Sequence, residues 1–139
     1  MTPKPPTTVD LVWIDELRFS AASRPDLVID SAGKAGPSPV EVLALALAGC
    51  MSVDVVHMLA RGRHAPRAMR SRFVGDRAQE DPHRFLRIAL HFTIEGDMPA
   101  DVVERAVRLS REKYCSVWHS LRQDIDFRVT FDLVPGTGR

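Results

Sequence analysis

The spacing of apolar residues changes along the chain, and each change predicts an element. In Leu86, Ile88, Leu90, Phe92 and Ile94 the apolar side chains alternate with Arg87, Ala89, His91, Thr93 and Glu95. The same period of two returns in Ile125, Phe127, Val129, Phe131 and Leu133, set against Asp126, Arg128, Thr130 and Asp132. Both segments are predicted to be half-buried strands with one wet face. Arg70 to Val74 is expected to pair with the first of them through the polar turn Glu80-Asp81-Pro82-His83. Near the start, Val9–Ile14, Leu17–Ala21 and Asp26–Asp30 read as three short strands of an antiparallel meander. Between the two alternating segments, Val102, Val103, Ala106, Val107 and Ser110 fall at helical spacing, so Pro99 to Tyr114 is an amphipathic helix. A short helical stretch, Ser116 to Leu121, follows Cys115.

The strongest helix signal lies in the middle. Ser38-Pro39-Val40-Glu41 offers an N-cap serine, a proline at the first helical position and a glutamate able to reach back to the cap. The helix is expected to run from Pro39 to about Arg61, with Gly62 and Pro66 ending it. From Val42 to Val53 it is apolar on nearly every side, which predicts burial all round. At 1.5 Å per residue it would be about 34 Å long, too long for one small sheet and one further helix to cover. A homodimer is the expected remedy. The element order βββ, α, ββ, α, α, β groups strands in blocks and predicts an α+β fold. A single domain over 9–134 is expected, with frayed tails at 1–8 and 135–139.

Composition narrows the function. With 19 basic and 18 acidic residues among 139, the net charge of +1 gives no general affinity for polyanions. Arg61 to Arg72 does carry five arginines, read as a solvated face rather than a nucleic-acid site. The N-terminal segment lacks an apolar stretch of signal type, and the uncharged apolar run of the central helix is short of the ~20 residues that span a bilayer. A cytoplasmic protein without nucleic-acid or membrane partners is therefore expected. The five histidines show no ligand spacing of zinc type, and no metal or cofactor is expected. Cys50, Asp54 and His57 share a helical stripe, but His57 is about 10 Å along the axis from Cys50, too far for direct bonding.

Two cysteines remain. Cys115 sits at a helix junction beside Arg111 and Lys113, a setting that lowers a thiol pKa, so local physics makes it the more reactive of the pair. Cys50 has Ala46, Leu47, Val53 and Asp54 within one turn, and an ionised Asp54 would oppose a thiolate there. Its activation needs a cation from elsewhere in the fold. Trp118 and Tyr114 flank Cys115 and are read as core or as the wall of an apolar pocket.

The run from Gly36-Pro-Ser-Pro-Val-Glu through Ala-Gly-Cys50-Met-Ser-Val-Asp-Val-Val56, with Glu112-Lys-Tyr-Cys115-Ser-Val further on, resembles the OsmC/Ohr family, and the order of elements resembles it from about Val9 to Val134. The resemblance implies an intertwined α+β homodimer, two long central helices and an active site at the subunit interface. It implies that Cys50 is a peroxidatic thiolate, that Cys115 is the resolving thiol, and that a lipoyl or thioredoxin-like dithiol resets the pair in an oxidative stress response. In the organic hydroperoxide reductases an acidic residue ten positions before the first cysteine holds an arginine against the thiolate. That position is Val40 here, while Glu41 is turned about 100° away and has its capping role. Arg18 is the first candidate for the activating arginine and Arg24 the second. Two readings follow: a thiol peroxidase for organic hydroperoxides, and a non-enzymatic OsmC-like protein that binds a small apolar or electrophilic ligand at its interface.

Overall fold

The computed structural model describes residues 3–136. The expected tails fall partly outside that range, at 1–2 and 137–139; residues 3–10 and 135–136 carry no regular secondary structure. The chain divides into two compact units at the Ala44–Leu45 step.

The first unit holds the meander β1 (Leu11–Asp15), β2 (Arg18–Ala21) and β3 (Arg24–Asp30), antiparallel throughout and in sequence order. Glu16 takes a left-handed conformation at the β1–β2 turn, with φ of 41°. The loop after β3 is organised by Asp30, which is buried and accepts hydrogen bonds from the backbone N–H groups of Ala32, Lys34 and Ala35. These donors, Ala35 foremost, hold its carboxyl below the usual range. Gly36 in this loop lies against the chain: a Cβ there would stand 2.1 Å from the carbonyl oxygen of Val28. Helix α1 (Pro39–Arg61) then starts where the sequence predicts. Its capping box is formed, Ser38 Oγ accepting from Glu41 N–H at 3.2 Å and Glu41 Oε1 from Ser38 N–H at 3.4 Å.

The second unit continues α1 and adds a three-stranded sheet of order β4 (Ala68–Arg77), β5 (Phe85–Glu95), β6 (Asp126–Val134). β4 and β5 form the expected antiparallel hairpin, longer than Arg70–Val74. A Cβ at Gly75 would stand 2.5 Å from the ring of Phe85, itself edge-on to Phe73, so a larger residue there would have to displace the rings. β5 and β6 run parallel, so the chain between them must cross over the sheet. The crossover is α2 (Ala100–Leu109), a turn of π-helix (Ser110–Tyr114) and the short α3 (Ser116–His119). Every second residue of β5, Ile88, Leu90, Phe92 and Ile94, is buried, as the alternation predicts. Against them pack Leu47, Met51, Val55 and Leu59 of α1, Val103, Ala106 and Val107 of α2, and Trp118, Ile125 and Phe127.

Within one chain α1 is covered on one side only: Leu47, Met51, Val55 and Leu59 are buried one turn apart, while Leu45 and Val53 on the other side are 63% and 68% exposed. An apolar surface all round exceeds what the sheet and α2 of one chain can cover. By length and composition the full 23-residue helix is also long and apolar enough to cross a bilayer. Its buried line nevertheless belongs to the core of the second unit.

The register of β5 yields a direct test. Leu90→Ala removes a fully buried side chain and should cost about 2–5 kcal/mol. Val74→Ala on β4, at 48% exposed, should stay within about 0.5 kcal/mol. Denaturant midpoints on the two variants measure both.

Candidate functional site

Packing of α1 onto β5 turns Cys50 and Asp54, four residues apart, toward the start of the π-helical turn. Cys50 is half-buried and packs at the edge of the core. Ser110, at the end of α2, is fully buried and donates its hydroxyl hydrogen to Asp54 Oδ2 at 2.8 Å. The π-helical turn is closed by the N–H of Cys115 bonding to the carbonyl of Ser110 at 2.8 Å. That wider turn delivers Cys115, completely buried, to the same place. Its sulfur accepts the N–H of Trp118 at 3.4 Å. The result is a cluster in which Cys50 Sγ, Cys115 Sγ and a carboxylate oxygen of Asp54 all lie within 4.8 Å of one another, both thiols being free.

The two sulfurs are not equivalent. Burial pushes the Cys115 thiol up to about 11; the Trp118 N–H opposes this, and the neighbouring Cys50 thiol adds to it. Cys115 therefore keeps its proton at neutral pH. This corrects the expectation that Cys115 would be the more reactive. The cations thought to activate it are elsewhere: the Arg111 guanidinium lies over the Phe127 ring at 5.1 Å, and the Lys113 ammonium over the Tyr114 ring at 5.2 Å. Trp118 is core, stacked on Phe127, whereas Tyr114 is half exposed.

Of the remaining candidates, Arg18 sits on β2 with Nε and Nη2 both donating to the carboxylate of Asp15. This fork holds the Asp15 carboxyl below its ordinary value. Arg24 begins β3 and is exposed. Both belong to the first unit. The arginines from Arg61 to Arg72 are exposed. Ser110 is the residue that sequence reasoning missed, and with it the link from Asp54 to the turn that carries Cys115. The four-residue spacing of Cys50 and Asp54 was a visible signal, but only the crossover shows what faces them.

Beside the cluster, α1 and α2 leave a cavity of about 750 Å³ lined by Asp54, His57, Met58, Leu109 and Tyr114 among others, and by the side chains of Arg61 and Arg105. Of the three cluster residues, Asp54 alone lines it.

Comparison with known proteins gives a consistent picture. Residues 31–130 match the family model described as OsmC-like protein. The chain is 35% identical over 126 residues to Protein YhfA of Escherichia coli K12, covering 88% of this chain and 94% of that one. A hypothetical protein from Aquifex aeolicus superposes with a TM-score of 0.86 at 23% identity, over 95% and 98% of the two chains. An organic hydroperoxide resistance protein OsmC from Legionella pneumophila superposes with a TM-score of 0.71 at 15% identity, over 93% and 99%, a likeness of fold.

The position of Cys115 carries a pH signature. Its value is raised above the ordinary thiol range near ~8.5, so the folded state gains stability below that pH and loses it as the pH climbs through about 11. Measured against Cys115→Ala at each pH, the wild-type chain should lose unfolding free energy between those limits. A difference that stays flat would contradict the buried thiol.

Proposed function

The chain belongs to the OsmC-like protein family, and from that premise we propose that it is a thiol-dependent peroxidase for organic hydroperoxides, with Cys50 as nucleophile and Cys115 as resolving thiol. The observation that carries this reading is the pair of free sulfurs within 4.8 Å, one half-buried and one fully buried and protonated. The Cys50 thiolate attacks the terminal peroxide oxygen; the O–O bond breaks, an alkoxide leaves and takes a proton, and Cys50 becomes a sulfenic acid. Cys115 sulfur then attacks the Cys50 sulfur, its own proton leaving with the hydroxyl as water, and a disulfide forms. An external dithiol, lipoyl or thioredoxin-like, reduces the disulfide and is itself oxidised. The first step needs a cation, since charge develops on the leaving oxygen. Arg18 is the assigned candidate and Arg24 the second, on the sequence resemblance alone.

The apolar surface of α1 supports a homodimer as the working form. Leu45, Gly49, Val53, Val56 and Ala60 are exposed along one line of the helix, and a second copy of the chain is the surface expected to cover it. A reducing compartment such as the cytoplasm suits two free cysteines reset by a dithiol. The cavity beside Asp54 favours a second reading, in which a small ligand is bound there without chemistry at sulfur.

A turnover assay separates the two. With cumene hydroperoxide and a dithiol reductant, the protein should consume peroxide catalytically, and faster than it consumes hydrogen peroxide. Cys50→Ser should lower the rate by roughly three or more orders of magnitude, and Arg18→Ala by at least about tenfold. A rate equal to that of Cys50→Ser in the wild-type protein would abandon the enzyme for the ligand-binding protein.

A further inference from the structure

We propose that Cys50 Sγ, Cys115 Sγ and the Asp54 carboxylate form a three-ligand site for a thiophilic divalent cation of the zinc class, with its fourth position left to water. The geometry is close to what such an ion needs. Tetrahedral zinc holds sulfur at about 2.3 Å and carboxylate oxygen at about 2.0–2.2 Å, which places ligand atoms about 3.6–3.8 Å from one another. The three donor atoms already lie within 4.8 Å, so closing on an ion takes shifts of about an ångström at side-chain ends. Two sulfurs and one carboxylate select a borderline or soft ion and reject magnesium and calcium, which need oxygen shells.

The groups around the donors are those that orient metal ligands. Ser110 holds Asp54 through Oδ2 at 2.8 Å, and that bond leaves the carboxylate with lone pairs for an ion. The N–H of Trp118 points at the Cys115 sulfur and would offset charge on a bound thiolate. Hydrogen-bonded ligands of this kind fix ligand direction and raise affinity. Asp54 also lines the cavity, so the site has a path of entry from the side of its carboxylate. Spacing along the chain could not reveal the site: Cys50 and Asp54 make only two donors, and the π-helical turn brings the third from the far side of the crossover.

Binding replaces thiol protons by metal and is not a redox step: the ion enters, the thiol protons leave to buffer, and no electron moves. A metal-tied pair of thiolates and a disulfide exclude one another, so oxidation of the two sulfurs by a hydroperoxide expels the ion. The site thus reads as a redox-linked metal switch. It stands independently of turnover, because the metal equilibrium needs no peroxide.

The experiment uses the reduced, metal-free full chain titrated with cadmium, followed by the thiolate-to-cadmium charge-transfer absorption, and with zinc against a chromophoric chelator. One ion per chain is expected, with proton release. Cys115→Ser should abolish the absorption band, and the near-isosteric Asp54→Asn should weaken zinc binding by at least about tenfold with the fold retained by circular dichroism. Wild-type protein oxidised to the disulfide should bind nothing, a control that needs no substitution. Unchanged affinity in Asp54→Asn, or binding that survives either Cys115→Ser or oxidation, overturns the site. An inactive peroxidase assay together with this pattern of binding would remove the proposed reaction and leave the metal site standing.

Discussion

The chemistry of this chain depends on how one line of α1, Leu47, Met51, Val55 and Leu59, is pressed onto the buried face of β5. That contact sets the rotation of the helix about its axis. A turn of about 100°, the equivalent of one residue, would carry Cys50 and Asp54 away from the π-helical turn that brings Cys115. The same packing surrounds Cys115 with core residues, and burial is what keeps its thiol protonated. Fold and reactivity are therefore one arrangement: the core that stabilises the second unit also makes the two sulfurs unequal.

Inequality is what a two-thiol mechanism requires. Two thiols with the same exposure and acidity would compete for an oxidant. Here Cys50 stands at the edge of the core, and Cys115 waits behind it with its proton in place. Ser110 ties Asp54 to the start of the turn that carries Cys115, so a single hydroxyl links the helix bearing the first sulfur to the segment bearing the second. The parallel pairing of β5 and β6 explains why that segment exists at all, since a crossover must span the sheet and can pass over α1 on the way.

Much of this is legible in the sequence, and the rest is not for definite reasons. The strands at Leu86–Ile94 and Ile125–Leu133, the meander and the capped helix from Pro39 all follow from local periodicity and capping chemistry, which act within a few residues. The parallel register of β5 and β6 depends on pairing between distant segments and leaves no local mark. Cys115 looks acidic from its neighbours in sequence because Arg111 and Lys113 are near in number, yet those side chains lie over aromatic rings while the sulfur is sealed in the core. Desolvation is a tertiary property. The exposed line through Leu45 and Val53 shows the converse: the sequence records a helix meant for burial, and one chain covers only half of it.

The claim at the centre is that Cys50 and Cys115 act as one redox pair. One equivalent of an organic hydroperoxide, added to the reduced protein and followed by alkylation and intact-mass analysis, tests it most directly. The account predicts loss of both free thiols together, as an intramolecular Cys50–Cys115 disulfide that a dithiol fully reverses. Two cysteines that remain alkylatable after prolonged exposure, or a Cys50 that over-oxidises while Cys115 stays free, would contradict it.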